Sequence, residues 1–169
     1  LLRVPEEERL QPVMFSETDI QMMRFALEEA RIAFAEGEIP VGAVVADGER
    51  VLARAHNRRE TDADPCAHAE ILALRKAAAR LGRWRLQGLT LYVTLEPCPM
   101  CAGAAEMSGL ARVVYGARDA QYGCCGSVYR LTEDPAFPTY CPADGGVLAD
   151  ECAALVRQFF QNRRVSHEK

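Results

Sequence analysis

Thr90-Leu91-Tyr92-Val93-Thr94-Leu95-Glu96-Pro97-Cys98-Pro99-Met100-Cys101 changes character halfway along. Its first six residues have the β-branched and aromatic content of a buried strand. Pro97 closes that strand, a helix is expected from there to near Gly109, and Arg112 to Tyr115 returns as a further strand. Upstream, Asp64-Pro65 opens an expected helix whose apolar stripe is Ile71, Leu74, Ala78 and Leu81, ending at Gly82. Before it, Val41–Ala46 and Val51–Ala55 flank Asp47-Gly48, a strong hairpin signal. Ser16-Glu17-Thr18-Asp19 reads as a capping box for a first helix carrying Ile20, Met23, Leu27, Ala30 and Phe34, stopped by Gly37.

Downstream, residues 116–148 are rich in Gly, Pro and Cys and are expected to hold at most one short helix or strand. Asp150 to Arg164 closes the chain as a helix with Leu155, Val156, Phe159 and Phe160. Strands alternating with helices give an α/β domain of three layers, α/β/α. The hairpin makes its central sheet mixed rather than parallel. Residues 14–169 are read as one domain, and residues 1–13, which show no period, as a flexible N-terminal extension.

Composition narrows the class. The 169 residues are 49% hydrophobic and 26% charged, which is ordinary for a globular chain and unlike a disordered, collagenous or disulfide-dense one. No apolar run reaches the ~18 residues of a membrane helix. Glu6-Glu7-Glu8 is unlike the start of a secretory signal, so a cytoplasmic setting is expected. Seven cysteines cannot all pair within one chain, and in a reducing compartment they bind metal, catalyse or pack. The net charge of −4 is uneven: residues 1–50 carry 11 acids and 5 bases, the remainder 13 acids and 15 bases. That leaves room for a local basic surface.

Two segments carry the chemistry: Cys66-Ala67-His68-Ala69-Glu70 and Pro97-Cys98-Pro99-Met100-Cys101, each at the start of an expected helix. Cys98 and Cys101 are spaced to close on one ion, and His68 completes a Cys₂His set that suits zinc. A structural zinc site is closed by four protein ligands, whereas a catalytic one leaves its fourth position to water. One Zn²⁺ per chain with a bound water or hydroxide is therefore expected, helped by two helix N-termini aimed at it. Glu70, two residues past His68, is then a proton carrier beside that water. The rival reading is a non-catalytic zinc module in which Cys66 supplies a fourth ligand.

His-x-Glu followed by Pro-Cys-x-x-Cys is the signature of zinc-dependent base deaminases. From about residue 19 to residue 164 the chain resembles the bacterial tRNA-specific adenosine deaminases, which have a cytidine deaminase-like fold. The likeness is densest at Pro40-Val41-Gly42-Ala43-Val44, His68-Ala69-Glu70, Leu91 to Cys98, Met100 to Ala104, Val113 to Ala117 and Gly146 to Cys152. It implies that His68, Cys98 and Cys101 hold zinc and that Glu70 is the proton shuttle. It also implies that Asn57 hydrogen-bonds the target base and that Asp119 lies in a loop near the anticodon backbone. Read without the resemblance, Asn57 is a polar residue ending a strand and Asp119 a solvated turn.

The implied activity is hydrolytic deamination of adenosine to inosine at the wobble position of a tRNA anticodon, by a homodimer, with a tRNA anticodon stem-loop as partner. A deaminase of a free base or nucleoside, of guanine or cytosine type, shares the motif. Arg58, Arg59, Arg157, Arg163 and Arg164 are candidate phosphate contacts. Arg75, Lys76, Arg80, Arg83 and Arg85 read as a solvated helix face. Pro138-Thr139-Tyr140 and Cys124-Cys125 depart from the family pattern where it touches RNA. Cys66, Cys124, Cys125, Cys141 and Cys152 are assigned to packing by default.

Overall fold

The computed structural model describes residues 14–167, so the expected extension at residues 1–13 lies outside the described residues. The elements run α1 (Glu17–Ala35), β1 (Gly42–Asp47), β2 (Arg50–His56), α2 (Ala69–Leu81), β3 (Thr90–Leu95), α3 (Pro99–Met107), β4 (Arg112–Ala117), β5 (Ala143–Gly145) and α4 (Ala149–His167). The sheet order is β2-β1-β3-β4-β5. β1 is antiparallel to both β2 and β3, while β3, β4 and β5 are parallel.

Period-two alternation sorts the strands into two cores. Ala43, Val45, Leu91, Val93, Val113 and Tyr115 pack with α2 and α3. Val44, Ala46, Tyr92 and Val114 face the other way onto residues of α1 and α4. This is the expected three-layer α/β arrangement with a mixed sheet.

The expected capping box forms: the Ser16 hydroxyl accepts from Asp19 N–H, and Asp19 accepts from Ser16 N–H. Asp19 also accepts from the Tyr92 hydroxyl and the Arg112 guanidinium, and Arg112 continues to Asp144. One buried carboxylate thus ties α1 to β3, β4 and β5. Burial opposes its ionisation, but the Ser16 amide, Arg112 and Tyr92 outweigh burial and hold its carboxyl below the usual range.

Two local expectations are corrected. Asp64-Pro65 does not open α2. Asp64 instead accepts from Cys66 N–H and Ala67 N–H, with Ala63 at φ 49°, so residues 61–66 make turns and the helix begins at Ala69. Region 116–148 holds both a short 3₁₀ turn (Leu131–Glu133) and β5, one element more than expected. The basic stripe on α2 is also only partly solvated. Arg80 donates to Leu52 O and Lys76 to Arg54 O, covering open carbonyls of the edge strand β2.

Gly42 is where α1 crosses β1 most closely: a β-carbon there would lie 1.9 Å from Ala26 O and 2.5 Å from Ala30 N. Both obstacles are backbone, so no rotamer relieves them. Gly42→Ala is expected to cost roughly 3 kcal/mol or more by overpacking, read as a lower midpoint in denaturant unfolding. An unchanged midpoint would show that α1 can shift freely.

Candidate active site

The register fixes where the site lies. Gly42 pairs with His56, Ala43 with Val93, and Leu95 with Ala117. The start of β1 and the ends of β2, β3 and β4 therefore share one edge of the domain. Asn57, Glu96 and Arg118 follow directly from those strand ends, and α2 and α3 begin there. A ligand site outside the carboxyl ends of parallel strands is the usual outcome in such sheets.

Because α2 starts late, His68 is its N-cap, with extended backbone, and Cys98 is the N-cap of α3 followed by Pro99 at its first position. Neither side chain caps its own helix. Both turn toward each other: His68 Nδ1 lies 3.6 Å from Cys98 Sγ and 3.5 Å from Cys101 Sγ. Zinc bonds of roughly 2.3 Å to sulfur and 2.0–2.1 Å to nitrogen at a tetrahedral angle require about 3.6 Å between those atoms, so the donor set fits zinc.

Among the described residues, this trio is the only group of three His, Cys, Asp or Glu side chains able to hold an ion. Cys66 is exposed and outside it, which removes the four-ligand reading. It also corrects the packing role for that residue, whereas Cys124, Cys125, Cys141 and Cys152 are buried as expected.

The electrostatics agree with the chemistry of the set. A hydrogen bond with Cys101 pulls Cys98 down to about 4 against burial, with His68 adding to the effect. The same sharing, with burial, drives Cys101 far up. The two sulfurs and His68 Nδ1 lie close enough together for one cation to bridge them. Glu70, in the first turn of α2, is 4% exposed, interacts with Cys101 and is pushed up to about 7 by burial.

A cavity of about 770 Å³ opens from this corner. Asn57, Arg59, His68, Glu70, Cys98, Arg118, Asp119, Tyr122 and Phe160 are among its lining residues. Arg59 thus lies where the sequence suggested, while Arg58 is held by Asp62 and Glu36. α4 reaches the cavity through Val156 and Phe160, not through Arg157, Arg163 or Arg164. Asp119 lines the cavity while its carboxylate accepts from Gln121 and Tyr122 N–H, closing its own turn.

Sequence reasoning missed two buried acids that hold residues lining the cavity. Glu96, 2% exposed, accepts from Asp119, Cys125 and Ser127 N–H and from the Ser127 hydroxyl. It winds the loop after β4 around itself and so presents Arg118, Asp119 and Tyr122 to the cavity. Glu38 is the second, buried beside Asn57. An acid directly before Pro97, at the end of an apolar strand, was the available signal for Glu96.

The model of the cytidine and deoxycytidylate deaminase zinc-binding region matches residues 16–117, and the chain belongs to that family of zinc deaminases. Its relatives are narrower in kind. It is 46% identical over 142 residues to the tRNA-specific adenosine deaminase of Bacillus subtilis, covering 84% of this chain and 88% of that one. It is 47% identical over 150 residues to the enzyme of the same name from Haemophilus influenzae, at 88% and 87% coverage. The chain is therefore a member of the tRNA-specific adenosine deaminase group.

A solved structure from a study of A-to-I editing by tRNA:A34 deaminases at the wobble position superposes with TM-score 0.77 at 41% identity, over 80% of this chain and 98% of that one. A guanine deaminase from Nitrosomonas europaea gives 0.70 at 25% identity over 93% of each chain.

Proposed function

We propose that this chain converts adenosine to inosine at the wobble position of a tRNA anticodon by hydrolytic deamination. The observation that carries this reading is the buried Glu70 beside a three-donor zinc set whose remaining side opens on a nucleotide-sized cavity walled by arginines and aromatics. The similarity to tRNA-specific adenosine deaminases supplies the substrate.

Held by His68, Cys98 and Cys101, zinc would make water a nucleophile near neutral pH. Glu70 is placed to take a proton from the attacking water and to hand it to adenine N1 as the water oxygen bonds to C6. It then takes the proton of the new C6 hydroxyl and passes it to the amine on C6, so that ammonia departs as the C6–N bond breaks and the C6 carbonyl of inosine forms. The balance is one water in and one ammonia out, with no redox partner. Asn57 holds the base. Tyr122 and Phe160 offer faces for unstacked neighbours, and Arg59 and Arg118 take flanking phosphates. An adenine stacked in its loop has to turn outward to enter.

The reading extends to assembly and setting. Ile71, Leu74, Trp84 and Met107 line an apolar groove between α2 and α3, with Trp84 64% and Met107 74% exposed. A second copy of the chain covers this face in the homodimer. Thiolate ligands suit a reducing cytoplasm, and no helix among the described residues is long and apolar enough to cross a membrane.

Inosine formation on a stem-loop bearing wobble adenosine, run beside free guanine and cytidine, tests the reading. Turnover of the stem-loop is expected to exceed that of either free compound by at least about 10²-fold, since a free base forgoes the flanking contacts. Guanine as the better substrate would replace it with a purine deaminase of the kind known from Nitrosomonas europaea.

A further inference from the structure

Glu38 sits between α1 and β1, is 1% exposed, and has no part in the proton transfers above. Both its oxygens are engaged as acceptors: Oε1 takes Thr61 N–H at 2.7 Å and Oε2 takes the Asn57 amide nitrogen at 3.2 Å. A carboxylate offers no donor, so only the nitrogen end of the Asn57 amide can face it. The Asn57 main chain is fixed as well, its N–H donating to Val41 O at 3.0 Å. Asn57 Oδ1 has no hydrogen-bond partner among the described residues, and the side chain lines the cavity.

An amide nitrogen carries two hydrogens, and Glu38 uses one. The other lies beside Oδ1, so acceptor and donor share one edge of the planar group. That edge matches the N6–H donor and N7 acceptor of adenine, the pairing by which asparagine reads this base. We propose that Glu38 is a positioning residue that sets the polarity of the Asn57 amide and thereby selects the N6/N7 edge of the entering adenine. The inference rests on the adenosine reading above and narrows it to the atoms recognised.

Glu38→Gln tests it. Thr61 N–H still needs the single oxygen, so the new amide nitrogen faces Asn57 and forces that side chain to flip. The cavity edge is then reversed, with a donor meeting N6–H and an acceptor meeting N7. Full-length zinc-loaded protein is assayed on two stem-loops, one with wobble adenosine and one with 7-deazaadenosine, which lacks the N7 acceptor.

The wild type is expected to favour adenosine by about 10-fold or more in kcat/KM, the scale of one good base contact. Glu38→Gln is expected to lose about 10²-fold on adenosine and to bring the ratio of the two substrates to about one or below, with zinc content unchanged. A role in packing alone would lower both substrates together and preserve the ratio. An unchanged ratio in the variant, or no preference in the wild type, overturns the proposal.

Should Glu38→Gln not fold, the pair Glu38→Gln with Asn57→Asp restores a donor facing an acceptor. It is expected to fold without N7 preference, and wild-type preference there, or failure of both variants to fold, also overturns the proposal. A wild type inactive on the adenosine stem-loop removes the adenosine reading itself, and this inference with it.

Discussion

Glu70→Gln lowers kcat for inosine formation by about 10²–10⁴-fold, the span that a positioned general acid–base group contributes, while the protein keeps one zinc per chain. The separation of the two readouts follows from geometry. Glu70 lies outside the three-donor cluster, so the substitution removes no ligand atom. Its carboxyl is almost wholly buried, and that burial pushes it up to about 7. A group at that level both accepts and returns a proton near neutrality, as the two halves of the deamination demand. Glutamine keeps the shape and the hydrogen-bonding reach and loses only the transferable proton. KM for the stem-loop therefore stays within a few-fold of the wild type, roughly the effect of one neutral hydrogen bond altered. Rates compared at matched zinc content check the prediction. A variant with near-normal kcat would remove Glu70 from the chemistry.

The parts of this protein legible in its sequence are those set by short-range rules. The Asp47-Gly48 hairpin, the Ser16–Asp19 capping box and the alternation of β1, β3 and β4 between two cores each depend on neighbours a few residues apart. The spacing of Cys98 and Cys101 was legible for the same reason: they are three apart at a helix start, which suits two ligands to one ion.

Glu38 was not legible, and Glu96 offered only its place before Pro97. In a sequence, a glutamate is a surface residue until its partners are known, and those partners are distant. Glu38 reaches Asn57 and Thr61, 19 and 23 positions away, and Glu96 reaches residues 23 to 31 positions on. Their donors are mostly main-chain N–H groups, which leave no trace in residue identity. Asp64 misled for a related cause. A residue fit to cap a helix is equally fit to close a turn, and Cys66 N–H took its carboxylate for the turn.

That late start of α2 matters to the last expected result, because it puts His68, like Cys98, at a helix N-cap with its side chain free for metal. Cys98→Ser is expected to purify with well under one zinc per chain and to show no measurable deamination. The Cys98 sulfur is held low, at about 4, chiefly by its hydrogen bond with Cys101, and a thiolate is the form that binds a cation. A serine hydroxyl has no such anion to offer and is a poor match for a borderline-soft ion. Serine is, however, among the best N-cap residues, worth about 1 kcal/mol over a non-capping side chain. The substitution therefore removes the ligand while leaving α3 at least as well capped, and loss of function cannot be ascribed to a melted helix. Thermal unfolding with and without a chelator separates the two effects. Metal bound only to the folded state raises its stability by mass action, so the wild-type midpoint falls when zinc is stripped. In Cys98→Ser the chelator leaves the midpoint unmoved, close to that of the stripped wild type. A variant that retains stoichiometric zinc and full activity would break the ligand set at its centre.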